Sequence, residues 1–487
     1  MRRCLAHAAR AIGMTGLLAG CAVGPDYHRP AADIPPAWQP AAPWHEAMPG
    51  DTALKGNWWE LFQDPDLNPL VEQALTSNQN LRVAAARLEQ AHDQVTIARS
   101  ALFPSVELSS SAVRSKDSAN RPLAAYSVPN QSTVQNDFRI GPSVNYELDL
   151  FGRVRREVEG ARATAEQAEA DFENTRLVLM ADLVTDYFSL REIDAEIDVV
   201  RHSLDLQRDA LAFVSSRHDL GFATGLDLAQ QQALLDASAT QLELLQNQRA
   251  QFEQAVATLI GTPAPSFTLA PVAAAPPLPM LPVGVPSDLL QRRPDVASAE
   301  RAMAAANARI GVARAAYFPS IDLAPGLGVP SVGWESNALA SLFTAPSQLW
   351  SIGLSASQTL FDAGKTRANV RFADADYTAA VAAYRQTVLN AMEEVENGIT
   401  GSSSLERAEI QANASVRSAQ RAFDIASERY KGGVDTYLDV ITAQQTLLAN
   451  QRQAVQIQGQ QFANAVFLVK ALGGGWSQPA PPVSRRN

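Results

Sequence analysis

Cysteine is almost missing from this chain, with two in 487 residues, Cys4 and Cys21. A disulfide framework is therefore not expected. The six histidines, at positions 7, 28, 45, 92, 202 and 218, have no ligand-like spacing and no cysteine companions, so no metal site is expected either. No run of about 18 apolar residues occurs, which excludes a membrane-spanning helix and leaves strands as the only way across a bilayer. Positive charge is in deficit, 40 Lys and Arg against 51 Asp and Glu, which argues against a nucleic-acid partner. There is no phosphate-cradling Gly-x-x-x-x-Gly-Lys-Ser/Thr loop and no nucleophile elbow, so neither an enzyme nor a cofactor is expected. Proline is absent between Pro142 and Pro263 and again between Pro346 and Pro479. An interior proline costs a helix about 3 kcal/mol, so both blocks have room for very long helices.

The N-terminus reads as a secretory signal over residues 1–20: Met1-Arg2-Arg3 and Arg10, an apolar stretch, then Leu18-Ala19-Gly20-Cys21. Small residues before a cysteine are what a lipoprotein signal peptidase requires, so Cys21 is expected to carry a diacylglyceryl group and an N-acyl chain. An ordinary signal peptide containing a chance cysteine is the competing reading. Ala22 follows where an aspartate would indicate inner-membrane retention, which directs the lipid to an outer membrane.

The chain then says the same thing twice. Ala98-Arg99-Ser100-Ala101-Leu102-Phe103-Pro104-Ser105 returns as Ala313-Arg314-Ala315-Ala316-Tyr317-Phe318-Pro319-Ser320, and Gly221-Phe222-Ala223-Thr224-Gly225-Leu226-Asp227 as Gly433-Val434-Asp435-Thr436-Tyr437-Leu438-Asp439. The offsets are 215 and 212, which points to a duplicated subdomain with a small length difference. Apolar and small residues at Ala161, Ala165, Ala168, Phe172, Thr175 and Leu179 recur 212 positions later from Ala373 to Ala391 as a near-heptad seam. After a lipidated segment 21–65, the reading predicts a first repeat 66–262, with helix 66–102, hairpin 103–151, helix 152–218, turn 219–225 and helix 226–260. A linker 263–293 leads to a second repeat 294–472, with helix 294–316, hairpin 317–362, helix 364–431, turn 432–437 and helix 438–472. Residues 473–487 form a tail.

Period-two alternation marks the strands. Phe138, Ile140, Val144, Tyr146, Leu148 and Leu150 interleave with polar or small residues, as do Trp350, Ile352, Leu354 and Ala356. About ten residues with one apolar face suit an outer-membrane barrel strand, and a soluble sandwich is the competing reading. Four strands from one chain cannot close a barrel, so identical copies must complete it. Glu147 and Asp149 are expected to face a lumen and tune conductance. A lipid-anchored coiled-coil scaffold would explain Cys21 and the heptads but not the strands.

The chain resembles the TolC-like outer membrane factor family, in particular its lipidated efflux members of the NodT type. The residues that carry the resemblance are Cys21-Ala22-Val23-Gly24-Pro25-Asp26-Tyr27, Trp58-Trp59-Glu60-Leu61-Phe62, Leu148-Asp149-Leu150-Phe151-Gly152-Arg153, Arg292-Arg293-Pro294-Asp295, Leu360-Phe361-Asp362-Ala363-Gly364 and Ala471-Leu472-Gly473-Gly474-Gly475-Trp476. The resemblance implies an α+β membrane protein: a homotrimeric twelve-stranded outer-membrane barrel, four strands per chain, continuous with a twelve-helix periplasmic barrel. It implies a passive exit duct for drugs or other small toxic compounds, partnered by a periplasmic adaptor and an inner-membrane pump of the RND type. A protein-secretion duct is the alternative. It places a gate at Tyr430, Asp435, Leu438 and Asp439. Thr442 stands where relatives have a further gate acid, and Asp435 where some have arginine. Asp227 and His218 are the matching residues of the first turn. For both Asp227 and Asp439, capping of a helix start is the simpler role.

Overall fold

The computed structural model describes residues 22–30, 56–117, 133–272, 277–279, 293–324, 326–333 and 349–475. Signal residues 1–20, Cys21, Arg292 and Trp476 lie outside the described residues. Seven helices carry most of the rest: α1 (Leu67–Ser77), α2 (Gln79–Ser100), α3 (Arg153–Asp219), α4 (Gly225–Leu259), α5 (Pro294–Ala315), α6 (Lys365–Lys431) and α7 (Tyr437–Ala471). The strands are β1 (Ser105–Asp117), β2 (Thr133–Glu147), β3 (Ser320–Leu323), β4 (Gly326–Gly333), β5 (Leu349–Ser351) and β6 (Leu354–Ser357). The long helices match in length between the copies, 67 residues for α3 and α6 and 35 for α4 and α7. At 1.5 Å per residue, α3 and α6 are each about 100 Å long. No helix among the described residues is long and apolar enough to cross a membrane.

The segment read as one helix over 66–102 is two, α1 and α2. Asn78 adopts ψ 129°, its side-chain NH2 donates to the Leu259 carbonyl (2.8 Å), and its side-chain oxygen caps Leu81 N (3.0 Å). It therefore ends one helix, starts the next and ties both to the end of α4. The fit is close: Gly261 (φ +71°) closes α4, and a Cβ there would lie 2.5 Å from the Ser77 carbonyl oxygen.

All the described strands form one antiparallel sheet. β1 pairs with β2 along its whole length, from Ser105↔Asn145 to Asp117↔Thr133; β2 pairs with β3 and β4, β3 with β6, and β4 with β5. The second hairpin is interrupted in both arms, and Ala324 N to Gly353 O (3.0 Å) bridges the break. The register sets Val106 beside Val144, on the same face of the sheet as Leu108 and Ile140, so that face collects apolar side chains. That face is bare: Leu108 and Trp350 are about three-quarters exposed.

Acidic residues join strands to helices. Asp149 accepts from Val154 N (3.1 Å) and Arg155 N (2.8 Å), satisfying amides at the start of α3, and Asp362 does the same for Thr366 N (2.7 Å). Glu147 takes a bidentate pair from Arg153 (2.6 and 2.9 Å). Glu147 and Asp149, expected to face a lumen, are both engaged by the first turn of α3.

The chain divides into two compact units, each drawing on both repeats. The first holds residues 1–30, 89–167 and 300–383, including the sheet. In it the arm that follows Cys21 is fastened along α3 and α5. Val23 N donates to Phe151 O (3.1 Å), Asn307 to Pro25 O (3.0 Å), Arg156 to Asp26 (2.8 Å) and Tyr27 OH to Glu300 (3.0 Å).

The second unit holds residues 31–88, 168–299 and 384–487. Trp58, Phe62, Phe188 and Phe462 form its aromatic centre, with Phe188 stacked on Phe462 at 4.5 Å. Arg293, nearly buried, reaches Glu394 (2.6 Å), Asp295 (2.6 Å) and the Ala471 carbonyl at the end of α7 (2.9 Å). Asp194 of α3, 1% exposed at its side chain, accepts from Arg249 (2.6 Å), Arg191 (3.3 Å) and Val272 N (3.2 Å). Those arginines also donate to the carbonyls of Leu269 and Ala270 (2.7 Å each). The start of the 263–293 linker is therefore strapped down by side chains rather than by a sheet.

One carboxylate in this unit is poorly placed. Glu192 lies against Gly459 of α7, where any Cβ would collide with its carboxylate, and burial together with the charge of Glu196 pushes its carboxyl up to about 7. The folded value lies above the unfolded one, so ionisation costs stability. The cost is absent below the unfolded pKa, grows as pH rises toward 7 and is complete above it. Glu192→Gln is therefore expected to leave the melting temperature unchanged at pH 4 and raise stability at pH 8 by about 1 kcal/mol, discounted for partial exposure. Equal melting of the two proteins at pH 8 would refute this.

Candidate functional site

The two helix turns bring together the residues singled out in the sequence. Each long helix ends on glycine: Gly221 (φ +76°) and Gly433 (φ +74°) take the left-handed conformation that side chains resist, and Phe222 N and Val434 N bond back to Arg217 O (2.7 Å) and Arg429 O (2.9 Å). Both turns then present threonine as the first residue of the next helix boundary, Thr224 and Thr436.

From there the copies differ. In the first turn Thr224 Oγ1 accepts from Asp227 N (3.2 Å) and Asp227 accepts from Thr224 N (2.8 Å), a complete capping box. In the second, Thr436 makes no side-chain cap; its hydroxyl instead donates to the exposed Asp439 carboxylate (2.7 Å). A capping box thus forms with Asp227 and not with Asp439, although both acids stand in the first turn of their helices. Asp227→Ala is expected to cost about 1 kcal/mol of stability, and Asp439→Ala much less. Thermal melts of the two variants side by side check this, with equal losses as the contrary outcome.

Leu438 is 54% exposed, and Thr442, also exposed, donates its hydroxyl to the Leu438 carbonyl (2.8 Å). Tyr430 is buried, with its ring 4.9 Å from that of Tyr437 and 6.5 Å from that of Phe213. Its hydroxyl has no hydrogen-bond partner among the described residues. Burial raises its phenol above the ordinary value, opposed by Arg217. His218, the matching residue, is half exposed beside Asp219 (3.8 Å) and does not enter the cluster.

The strongest contacts involve two arginines that motif reading passed over. Arg429 grips Asp435 with Nε and Nη2 (2.5 and 2.8 Å), and these hydrogen bonds hold the Asp435 carboxyl below its usual range. Its counterpart 212 positions earlier is Arg217, whose local partner is missing because Ala223 stands where the second copy has Asp435. Arg217 instead crosses to the other turn, its guanidinium 4.8 Å from the Tyr430 ring centre and Nη1 3.5 Å from the Tyr430 carbonyl oxygen. Below them Tyr437 OH donates to Gln231 (2.7 Å), whose own amide donates to the Gln207 carbonyl (2.9 Å). The register of 212 would have exposed this exchange had the arginines been compared across the copies.

The arrangement can hold or release a pair of turns; it contains no nucleophile, acid–base pair or phosphate cradle. Among the described residues no group of three His, Cys, Asp or Glu is placed to hold a metal ion. The model of the outer membrane efflux protein family matches residues 70–262 and 285–474, one match per repeat. A toluene efflux pump outer membrane protein of Pseudomonas putida, TtgF, is 33% identical, with 98% of both chains covered. A pyoverdine export outer membrane protein of the same species, OpmQ, is also 33% identical, over 92% of this chain and 93% of its own. Among solved structures the outer-membrane channel OprN superposes with a TM-score of 0.83 at 31% identity, covering 94% of this chain and all of that one.

Proposed function

The chain belongs to the outer membrane efflux protein family, and from that premise we propose that three copies of it build a passive exit duct whose entrance is the ring of helix turns. It is an outer-membrane channel component of an efflux system, with a TolC-like fold, and not an enzyme. An efflux pump of this kind also needs a periplasmic adaptor and an inner-membrane transporter, here of the RND type, which supplies the energy.

The observation that carries the trimer is the sheet edge. Among the described residues β1 has a partner on one side only, as do β5 and β6, while the apolar face is bare. Hydrocarbon offers nothing to an unpaired edge, so neighbouring copies must continue the ladder, and three copies of four strands leave room for a conducting lumen. The arm from Val23 to Tyr27 supports a lipid on Cys21, since it begins beside Phe151 and Gly152 at the strand–helix junction, the level of a leaflet surface. Leu220, Phe222 and Val434, each about 70% exposed at the turns, suit an adaptor that covers them. In a threefold ring Asp439, Leu438 and Thr442 would narrow the entrance.

Retention of a fluorescent dye in a deletion strain, restored to wild-type efflux by the full chain, tests the reading. Unchanged drug susceptibility with loss of a secreted protein would move the assignment to protein secretion, and a soluble elongated monomer would move it to a scaffold.

A further inference from the structure

Within the first compact unit a cleft of about 480 Å3 opens between Tyr27 of the N-terminal arm, Leu102 at the end of α2, the opening turns of α3, and Arg301 of α5. Its lining is of two kinds: apolar at Leu102 and Val158, cationic at Arg155, Arg162 and Arg301. The acids in the cleft are already taken. Glu159 is held by Arg156 (2.8 Å) and Glu166 by Arg301 (2.9 Å), and Arg301 also reaches Glu300 (2.8 Å). Arg155 shares Asp149 (3.3 Å). Arg162 is exposed and has no hydrogen-bond or ion-pair partner among the described residues, and Arg301 Nε is buried without one. Arg162 thus brings a guanidinium with all its donors unspent to the cleft, beside Arg155 and Arg301.

We infer that this cleft binds the phosphodiester headgroup of an anionic phospholipid from the periplasmic face of the outer membrane. Guanidinium groups match phosphate oxygens in geometry and charge, and basic pockets at a membrane's edge take lipid headgroups. Two further observations favour lipid over a free anion. The cleft is half apolar, which suits the glycerol and first methylenes. Leu102 is also followed by Phe103, Val106 and Leu108, each about 70% exposed, so an apolar track leads from the cleft onto β1. The inference rests on the outer-membrane placement of the sheet and is independent of what the duct carries.

The test is native mass spectrometry of the full chain in mild detergent, with phosphatidylglycerol, phosphatidylcholine or inorganic phosphate added. Phosphatidylglycerol is expected to stay bound where phosphatidylcholine does not. Arg162→Glu is expected to cut that occupancy about tenfold, about 1.4 kcal/mol, and Arg162→Gln to cut it less. Arg417→Glu, the same charge change on an exposed arginine of α6, is expected to leave it unchanged. Occupancy unaltered by both Arg162 variants, equal retention of phosphatidylcholine, or displacement of the lipid by equimolar inorganic phosphate would each overturn the proposal. Planar-bilayer conductance of the same variants, expected at the wild-type level, separates a failed lipid site from a failed duct.

Discussion

Replacing Asp194 with alanine lowers the stability of the folded chain by about 3–5 kcal/mol, the range for removing one partner from a buried ion pair. The side chain is 1% exposed and is the shared acceptor for Arg191 and Arg249, themselves 5% and 15% exposed. Without it two guanidinium groups stay buried beside one another with their remaining partners, Asp66 and Glu253, on the periphery. The loss also frees Val272 N and slackens the hold on Leu269 and Ala270. Thermal unfolding measures the first effect, and limited proteolysis, with new cleavage near residues 267–272, measures the second. Asp194→Asn keeps the shape and removes the charge, so it is expected to fall between the two. Melting within a degree of wild type in Asp194→Ala would show that the strap is not held by this residue.

The second large effect is on gating. Arg217→Ala removes the cation over Tyr430, and Asp435→Ala releases Arg429 from its bidentate grip. The Arg217–Tyr430 contact is worth about 0.5–1 kcal/mol, and the exposed Arg429–Asp435 pair adds less. The double variant is therefore expected to raise the population of an open entrance about threefold. Single-channel recording in planar bilayers reads this as open probability, and entry of a large hydrophilic antibiotic reads it in cells. Each single variant should give a smaller rise than the double. A double variant indistinguishable from wild type would show that the turns are held elsewhere. The Arg429–Asp435 link also weakens in acid, because the depressed carboxyl of Asp435 loses its stabilising contribution as pH falls through its folded pKa.

Much of this architecture was legible before any coordinates. The alternation from Phe138 to Leu148 coincides with β2 because a strand with one face in hydrocarbon must alternate. The proline-free blocks hold α3, α4, α6 and α7 because, apart from the glycine turns at Gly221 and Gly433, nothing in them breaks a helix. The break at Asn78 was not legible: apolar periodicity runs through it, and what stops the helix is a carbonyl at Leu259, nearly two hundred residues away. The strap around Asp194 was hidden for a related reason, since charges on a long helix read as a wetted surface until Arg249 and residues 269–272 are brought to them. At the turns the type of residue was legible and the bonding was not. Thr224 and Asp227 spell the same motif as Thr436 and Asp439, yet one pair caps a helix and the other leaves its carboxylate outward.

The equal lengths of the paired helices bear on how this protein can change over time. The offset between copies is 215 at Ala98 and Ala313 but 212 at Arg153 and Lys365, so the three-residue difference was absorbed entirely in the sheet segment, before the long helices begin. One residue added within α3 would rotate everything beyond it by about 100° and advance it by about 1.5 Å, carrying Arg217 away from Tyr430. Insertions are therefore expected to accumulate between strands and to be purged from the helices, which makes the hairpin connections the place to graft a tag or epitope. The two copies have been free to diverge in side chains at the turns only because they have not been free to diverge in length.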